Sequence, residues 1–168
     1  ARGGSKGVPR KNIVDINGHP LISFSINASL NSSVHETWVS TEDKEIKEIS
    51  LKYGARVIDR PHHLADDIIM PDAALLHAAE NIDFDILVFI QPCAALIKPK
   101  YINEAIKLIT EQGYDSSFAV VRESWMPIWD LDVNPIGWSV DSRPRRQDMP
   151  EWYKEAGMLY ATTKDCLL

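Results

Sequence analysis

Only two of the 168 residues are cysteine, Cys93 and Cys166, and neither lies in a metal-ligand spacing. A disulfide framework is therefore excluded, and a reducing compartment, the cytoplasm, is expected. Long apolar runs are also missing: no stretch of about 18 apolar residues occurs, nor a charged-then-apolar leader, so neither a spanning helix nor a secretory signal is read here. Positive charge is in deficit, with 18 Lys and Arg against 24 Asp and Glu and a net charge of -6. Nonspecific phosphate-backbone binding rests on many clustered cations, so nucleic acid is set aside as a partner, as is the membrane. There is no internal repeat and no low-complexity tract. An initiating Met is absent, and a glycine loop opens at the third residue without the buried strand that normally leads into one. Asp165 to Leu168 stop at what reads as the start of a helix, so both ends are expected to be cut.

What is present suits one compact core. The chain is 45% hydrophobic, enough for a single domain over residues 1–168. Helical and strand periods alternate through the first two thirds, the pattern of an α/β protein whose mostly parallel sheet is covered by helices. Pro20 to Leu30 has near-helical apolar spacing, with Pro20 tolerated in the first turn. Glu36 to Ser40 reads as a strand, Thr41 as the cap of a helix over Glu42 to Tyr53, and Gly54 as its stop. Arg56 to Ile58 is a short strand and Asp72 to Asn81 a helix. Ile86 to Ile90 and Ser117 to Val121 read as strands buried on both faces, separated by a helix over Pro99 to Glu111.

Residues 122–156 differ in texture. They carry four prolines, four of the five tryptophans and the basic run Arg143-Pro144-Arg145-Arg146. A long irregular segment of this kind is usually functional or an interface, and its aromatic and arginine content favours a homodimer contact or an active-site insertion. Gly157 to Ala161 then returns to a strand pattern.

The chemistry concentrates at the start. Gly3, Gly4 and Gly7 allow close approach of backbone N–H groups to oxygens, while Arg2, Lys6, Arg10 and Lys11 bring four positive charges to one place. A triphosphate suits such a loop. The spacing is not Gly-x-x-x-x-Gly-Lys-Ser/Thr, which disfavours a P-loop ATPase or GTPase, and a solvated basic turn is the bland alternative. Asp66, Asp67 and Asp72 could suggest a metal cluster, but acidic residues beside a helix start also favour its dipole. His62, His63 and His77 form no zinc pattern. Cys93 reads as a small packed side chain, since no activating base is near it in sequence.

The string Ala1-Arg2-Gly3-Gly4-Ser5-Lys6-Gly7-Val8-Pro9-Arg10-Lys11-Asn12-Ile13, followed by Asn17-Gly18-His19-Pro20-Leu21-Ile22, resembles the signature of the acylneuraminate cytidylyltransferases. The resemblance continues through Val39-Ser40-Thr41, Arg60-Pro61 with Leu64-Ala65-Asp66-Asp67, Gln91-Pro92, and Arg146-Gln147-Asp148-Met149-Pro150 with Gly157-Met158-Leu159-Tyr160. It implies a three-layer, Rossmann-like nucleotide-diphospho-sugar transferase fold. It also implies transfer of CMP from CTP to an acidic nine-carbon sugar such as N-acetylneuraminate, legionaminate or pseudaminate, with release of pyrophosphate. On this resemblance Arg2, Gly3, Gly4, Ser5, Lys6, Lys11 and Asn12 bind CTP. Gln91, Pro92, Arg146, Gln147 and Tyr160 face the sugar, and Lys6, Lys11 and Arg146 serve catalysis. Arg146 can equally belong to the rim of a dimer interface, and the two roles can coexist.

The family's Gln-Pro-Thr-Ser-Pro-Leu-Arg is here Gln91-Pro92-Cys93-Ala94-Ala95-Leu96-Ile97, two hydroxyls and an arginine short, with Lys98 as a replacement charge. Ala156 stands where the family has Asn. The resemblance further implies Mg2+, held by an Asp-x-Asp segment expected beyond the chain end, so that no metal ligand is assigned within residues 1–168. Two other readings stand beside this one: a degenerate sugar-nucleotide-binding module without activity, and a cytidylyltransferase for 3-deoxy-manno-octulosonate. The latter family's loop usually resembles Ser-Thr-Arg-Leu-Pro in place of Ser5-Lys6-Gly7-Val8-Pro9. A molybdenum-cofactor or sugar-1-phosphate nucleotidyltransferase ranks last.

Overall fold

The computed structural model describes residues 1–66 and 71–168. It divides into two compact units, Ala1–Ala119 with Gly157–Leu168, and Val120–Ala156.

In the first unit, the glycine loop runs into a single 3-10 turn, Lys11–Ile13, and a two-residue hairpin pair, β1 (Asp15–Ile16) and β2 (His19–Pro20). Helix α1 (Leu21–Leu30) follows. It buries Leu21, Ile22, Ser23, Ser25, Ile26, Ala28 and Ser29, residues on nearly every side, because it is packed between neighbours instead of facing water along one flank. Strand β3 (Trp38–Thr41) and β4 (Arg56–Asp59) then pair in parallel, Val39 opposite Val57 and Thr41 opposite Asp59, joined through α2 (Lys44–Lys52). The cap of α2 is Asp43, not the expected Thr41: its carboxylate accepts from the N–H groups of Glu45 and Ile46. Thr41 is still an extended residue of β3, so the chain turns two residues later. Ile22, Ile26, Val39, Ile46 and Ala55 form one buried cluster across these elements.

The second half of the unit contains α3 (Pro71–Asn81), β5 (Ile86–Ile90) and α4 (Pro99–Thr110), with Pro99 in the first turn of α4 where its missing N–H costs nothing. Ile102, Ala105 and Ile109, spaced along one stripe of α4, pack with Ala28, Ile97, Leu159 and Ala161 into a second cluster. The sheet beneath has the order β5, β9 (Trp152–Thr163), β6 (Ser116–Glu123), and β9 runs antiparallel to β5 with Val88 opposite Ala161. The expected α/β layering is present, with the parallel pair β3 and β4 in one sheet. Two strands differ from expectation in burial. All five residues of β5 are half-buried, because one edge of the strand lines a large cavity. In β6 only Ser117 is buried, since that strand lies at the end of its sheet.

In the second unit, β7 (Ile128–Trp129) and β8 (Pro135–Ile136) pair antiparallel around a turn. Asp130 closes that turn by accepting from the backbone N–H groups of Asp132 and Asn134. Trp138 meets Trp129 edge-on at 4.8 Å and Trp125 at 6.2 Å, with the Arg143 guanidinium 5.6 Å above its ring. Leu131, Val133, Met126 and Val140 are exposed. The short final helix α5 (Lys164–Leu167) belongs to the first unit and is capped by Thr163. Among the described residues, no helix is long and apolar enough to cross a membrane.

Candidate functional site

A cavity of about 1480 Å3 lies within the first unit. The glycine loop forms one side of its mouth, through Arg2, Ser5, Lys6 and Lys11, and Gln91 with Pro92 forms another. These segments meet for a topological reason. The loop packs beside the carboxyl end of β3, and Gln91 follows directly on the carboxyl end of β5, the end at which open α/β sheets place ligands.

The loop is held from within and from behind. The Ser5 hydroxyl accepts from the N–H of Lys11 at 2.9 Å, and the buried Asn12 amide donates to the carbonyl of Arg2 at 2.9 Å. The N–H of Gly3 donates to Glu42 Oε1 at 2.7 Å. Arg10, in the left-handed region at φ 55°, reaches back to Asp43 with both terminal nitrogens and to Glu45 at 2.5 Å. The Arg10 guanidinium is the main cause that holds the Asp43 carboxyl below its usual range, and Asp43 in turn raises Arg10. Arg10 is thus a tether neutralised by acids and does not line the cavity, in contrast to the expectation of four loop cations gathered there. Gly3 has its own constraint: a Cβ at this position would run into the Asp43 carboxylate. Gly4 and Gly7 face open space.

The other wall is fixed by α1. The buried Ser25 hydroxyl donates to the carbonyls of Gln91 at 3.1 Å and Pro92 at 3.3 Å, which sets the course of the chain after β5. The Cys93 thiol lies 3.5 Å from Gln91 Oε1. Arg60 spans Ser40, donating from Nε to the hydroxyl at 3.0 Å and from Nη2 to the carbonyl at 2.8 Å. Burial lowers its pKa, Glu42 opposes that shift, and Arg2 adds to it.

Of the residues expected to bind CTP, Arg2, Ser5, Lys6, Lys11 and Asn12 line the cavity together, as do Gln91 and Pro92 of the expected sugar side. Gly3 and Gly4 are not among its lining. Tyr160 lies on β9, its ring stacked with Phe89 and Phe118 at 6.1 and 6.5 Å, and it does not line the cavity. Arg146 and Gln147 belong to the second unit, in a 3-10 turn where Arg146 donates to the Ser124 hydroxyl at 2.6 Å. Asp66 lines the cavity; Asp67 lies outside the described residues. Sequence reasoning missed Glu42, Asp43 and Ser25. Only Asp43 carried a local signal, an Asp immediately before an amphipathic helix.

A family profile described as Cytidylyltransferase matches residues 1–135. The chain belongs to the cytidylyltransferase family. Among curated relatives, N-acylneuraminate cytidylyltransferase A of Danio rerio is 37% identical over 99% of this chain and 41% of its own length. Pseudaminic acid cytidylyltransferase of Campylobacter jejuni subsp. jejuni is 34% identical over all of this chain and 78% of its own length. The chain therefore spans about two fifths of the fish enzymes it matches. Among solved structures, a CMP:2-keto-3-deoxy-manno-octonic acid synthetase complexed with CTP superposes with TM-score 0.77 at 20% identity, over 99% of this chain and 73% of that one. The 4-diphosphocytidyl-2C-methyl-D-erythritol synthase of Anaerococcus prevotii gives 0.66 at 12% identity, over 98% and 69%. The fold of this chain is that of the nucleotide-sugar transferases.

Proposed function

We propose that this chain carries the CTP site of an enzyme that transfers CMP to a nonulosonic acid such as N-acetylneuraminate, pseudaminate or legionaminate. The observation that carries the reading is the meeting of Arg2, Ser5, Lys6 and Lys11 with Gln91 and Pro92 around one cavity at the carboxyl ends of β3 and β5. In the reaction, a sugar hydroxyl oxygen forms a bond to the α-phosphorus of CTP, and the bond from that phosphorus to the bridging oxygen breaks. Pyrophosphate leaves with the bond electrons and the hydroxyl proton passes to solvent. Such a displacement needs positioning and neutralisation more than a covalent nucleophile. Lys6 and Lys11 would meet the developing phosphate charge and the Ser5 region the ribose or phosphates, while the Gln91 amide orients the sugar. Arg146 suits a sugar carboxylate through its planar fork.

The described residues gather no three His, Cys, Asp or Glu side chains around one point. They form no all-protein cage for the Mg2+ that the resemblance implies, whose Asp-x-Asp ligands it expects beyond residue 168, and no step is routed through the ion. The exposed apolar and tryptophan-rich surface of the second unit supports a homodimer. A cytoplasmic site of action, in the making of surface carbohydrate such as capsule or lipopolysaccharide, fits the two free cysteines.

Incubation with CTP and each of the three sugars, followed by pyrophosphate release, tests the reading. Release with at least one supports it; CTP binding without release from any acidic sugar identifies a noncatalytic sugar-nucleotide-binding module. The latter is the second reading, favoured by Cys93 and Ala94 where the family has hydroxyls and by Ile97 where it has arginine.

A further inference from the structure

Two acids follow β3 directly, and they take different partners. Asp43 holds Arg10 and the cap of α2. Glu42 holds the glycine loop, its Oε1 accepting from the Gly3 N–H at 2.7 Å. The second carboxylate oxygen of Glu42, Oε2, is buried and accepts no hydrogen bond among the described residues. A buried acceptor without a donor carries a desolvation cost, so an ionised group in this place needs an offsetting interaction. The neighbour that responds to it is Arg60. This half-buried side chain lines the cavity and donates from Nε and Nη2 to Ser40, two residues before Glu42. Burial lowers the Arg60 pKa, the charge of Glu42 opposes that shift, and the charge of Arg2 adds to it. Arg2 and Arg60 both line the cavity, whereas Glu42 does not. One acid thus sits behind a wall that carries two cations close enough to feel each other.

We propose that Glu42 is a positioning residue for the cavity's anion site: it fixes Gly3 with one oxygen, and its charge holds Arg60 beside Arg2 against their mutual repulsion. Like charges on a partly buried wall repel more strongly than they would in water, and an acid behind them offsets that repulsion. The consequence runs against simple charge counting. An acid that acted on the ligand alone would weaken anion binding, and its removal would tighten it. Glu42 acts on the cations and on the loop, so its removal loosens the site. The binding part of this role rests on the reading of the cavity as a CTP site; the effect on the ligand-free protein does not.

Glu42→Gln separates the two functions, because the Gln carbonyl still accepts from Gly3 while the charge is gone. Without ligand and at low salt, this variant is expected to melt about 4 °C below wild type. Salt reaches the open mouth of the cavity, so about 0.5 M NaCl should recover at least half of the loss. In an Arg60→Gln background the same change should cost less than about 1 °C, since the cation it serves is absent. Calorimetry should show CTP bound about fivefold more weakly by Glu42→Gln than by wild type. Glu42→Ala, which gives up the Gly3 bond as well, should fall further in both readouts. Glu42→Gln melting at or above wild type in low salt, a loss of equal size in both Arg60 backgrounds, or equal values for Glu42→Gln and Glu42→Ala would overturn the proposal. So would a Glu42→Gln variant that folds at neither salt concentration, and so would tighter CTP binding, which would assign Glu42 to direct repulsion of the ligand. A wild type that binds no CTP refutes the nucleotide reading instead, and the melting measurements then decide the role of Glu42 by themselves.

Discussion

Replacing Asp43 with Ala removes two things at once, and their sizes can be separated. The first is the cap of α2, two N–H groups held at 3.0 Å by Asp43 Oδ1. Losing such a cap costs about 1 kcal/mol. The second is the pair with Arg10, whose side chains retain 41% and 17% of their exposure. A pair this open to water is worth about 0.5–1 kcal/mol. The sum, about 2 kcal/mol, lowers the melting temperature of a chain this size by about 4–8 °C. Asn caps a helix nearly as well as Asp, so Asp43→Asn should lose only the charge-dependent share, about 2–4 °C. The pH dependence has a definite sign. Because Arg10 depresses the folded-state pKa of Asp43, the stabilisation is complete above the unfolded value of about 3.9. It is lost as pH falls through the lower folded value. The gap between wild type and Asp43→Ala should be level from pH 7 to about 5 and narrow below about pH 4. Thermal unfolding by circular dichroism across that range reads all three proteins. Equal losses in Asp43→Asn and Asp43→Ala, or a gap that widens on acidification, would refute the account.

Gly3→Ala should weaken CTP binding about tenfold by calorimetry, because the carboxylate its Cβ meets is pinned by Arg10 and the α2 cap and cannot step aside. Gly7→Ala, which faces open space, should change affinity less than about twofold. Ser25→Ala frees the carbonyls of Gln91 and Pro92 and should cost about 1–2 kcal/mol in urea unfolding, with a larger rise in sugar KM than in CTP KM. Lys6→Ala and Lys11→Ala should each reduce CTP affinity about tenfold or more, with the salt dependence of binding falling in parallel. Saturating Mg2+ should alter CTP affinity less than about threefold, and a larger effect would reveal carboxylate ligands beyond those gathered among the described residues.

What could be read from the sequence was the part fixed by local rules. The apolar spacing of Leu21–Leu30 and Pro99–Thr110 and the β-branched run Ile86–Ile90 declare their elements without help from distant residues. The choice between Thr41 and Asp43 as a cap could not be made locally, since both are good capping residues. It was decided by the pairing of Thr41 with Asp59, which extends β3 past Ser40. In the same way, the loop's cations were visible but their division of labour was not. Whether Arg10 faces a phosphate or a carboxylate depends on α2 bringing Asp43 and Glu45 alongside it, 33 and 35 residues away in sequence. Ser25 carried no signal at all, being one of several serines in a helix buried nearly all round.

The division between Arg10 and the lysines also explains how a chain of net charge -6 can present a site for a polyanion. A triphosphate responds to the potential at the cavity mouth more than to the total charge. Asp43 and Glu45 neutralise Arg10 behind the loop, while Lys6 and Lys11 line the mouth itself. These two acids therefore position the loop from behind. Rigid support of this kind limits the reorganisation left for the moment of binding, because the Gly3 N–H, the Lys11 N–H and the Arg2 carbonyl are already held by Glu42, Ser5 and Asn12. Loop composition alone would describe a flexible basic turn. Its tethers to the carboxyl end of β3 hold it in one course, as the proposed triphosphate site requires.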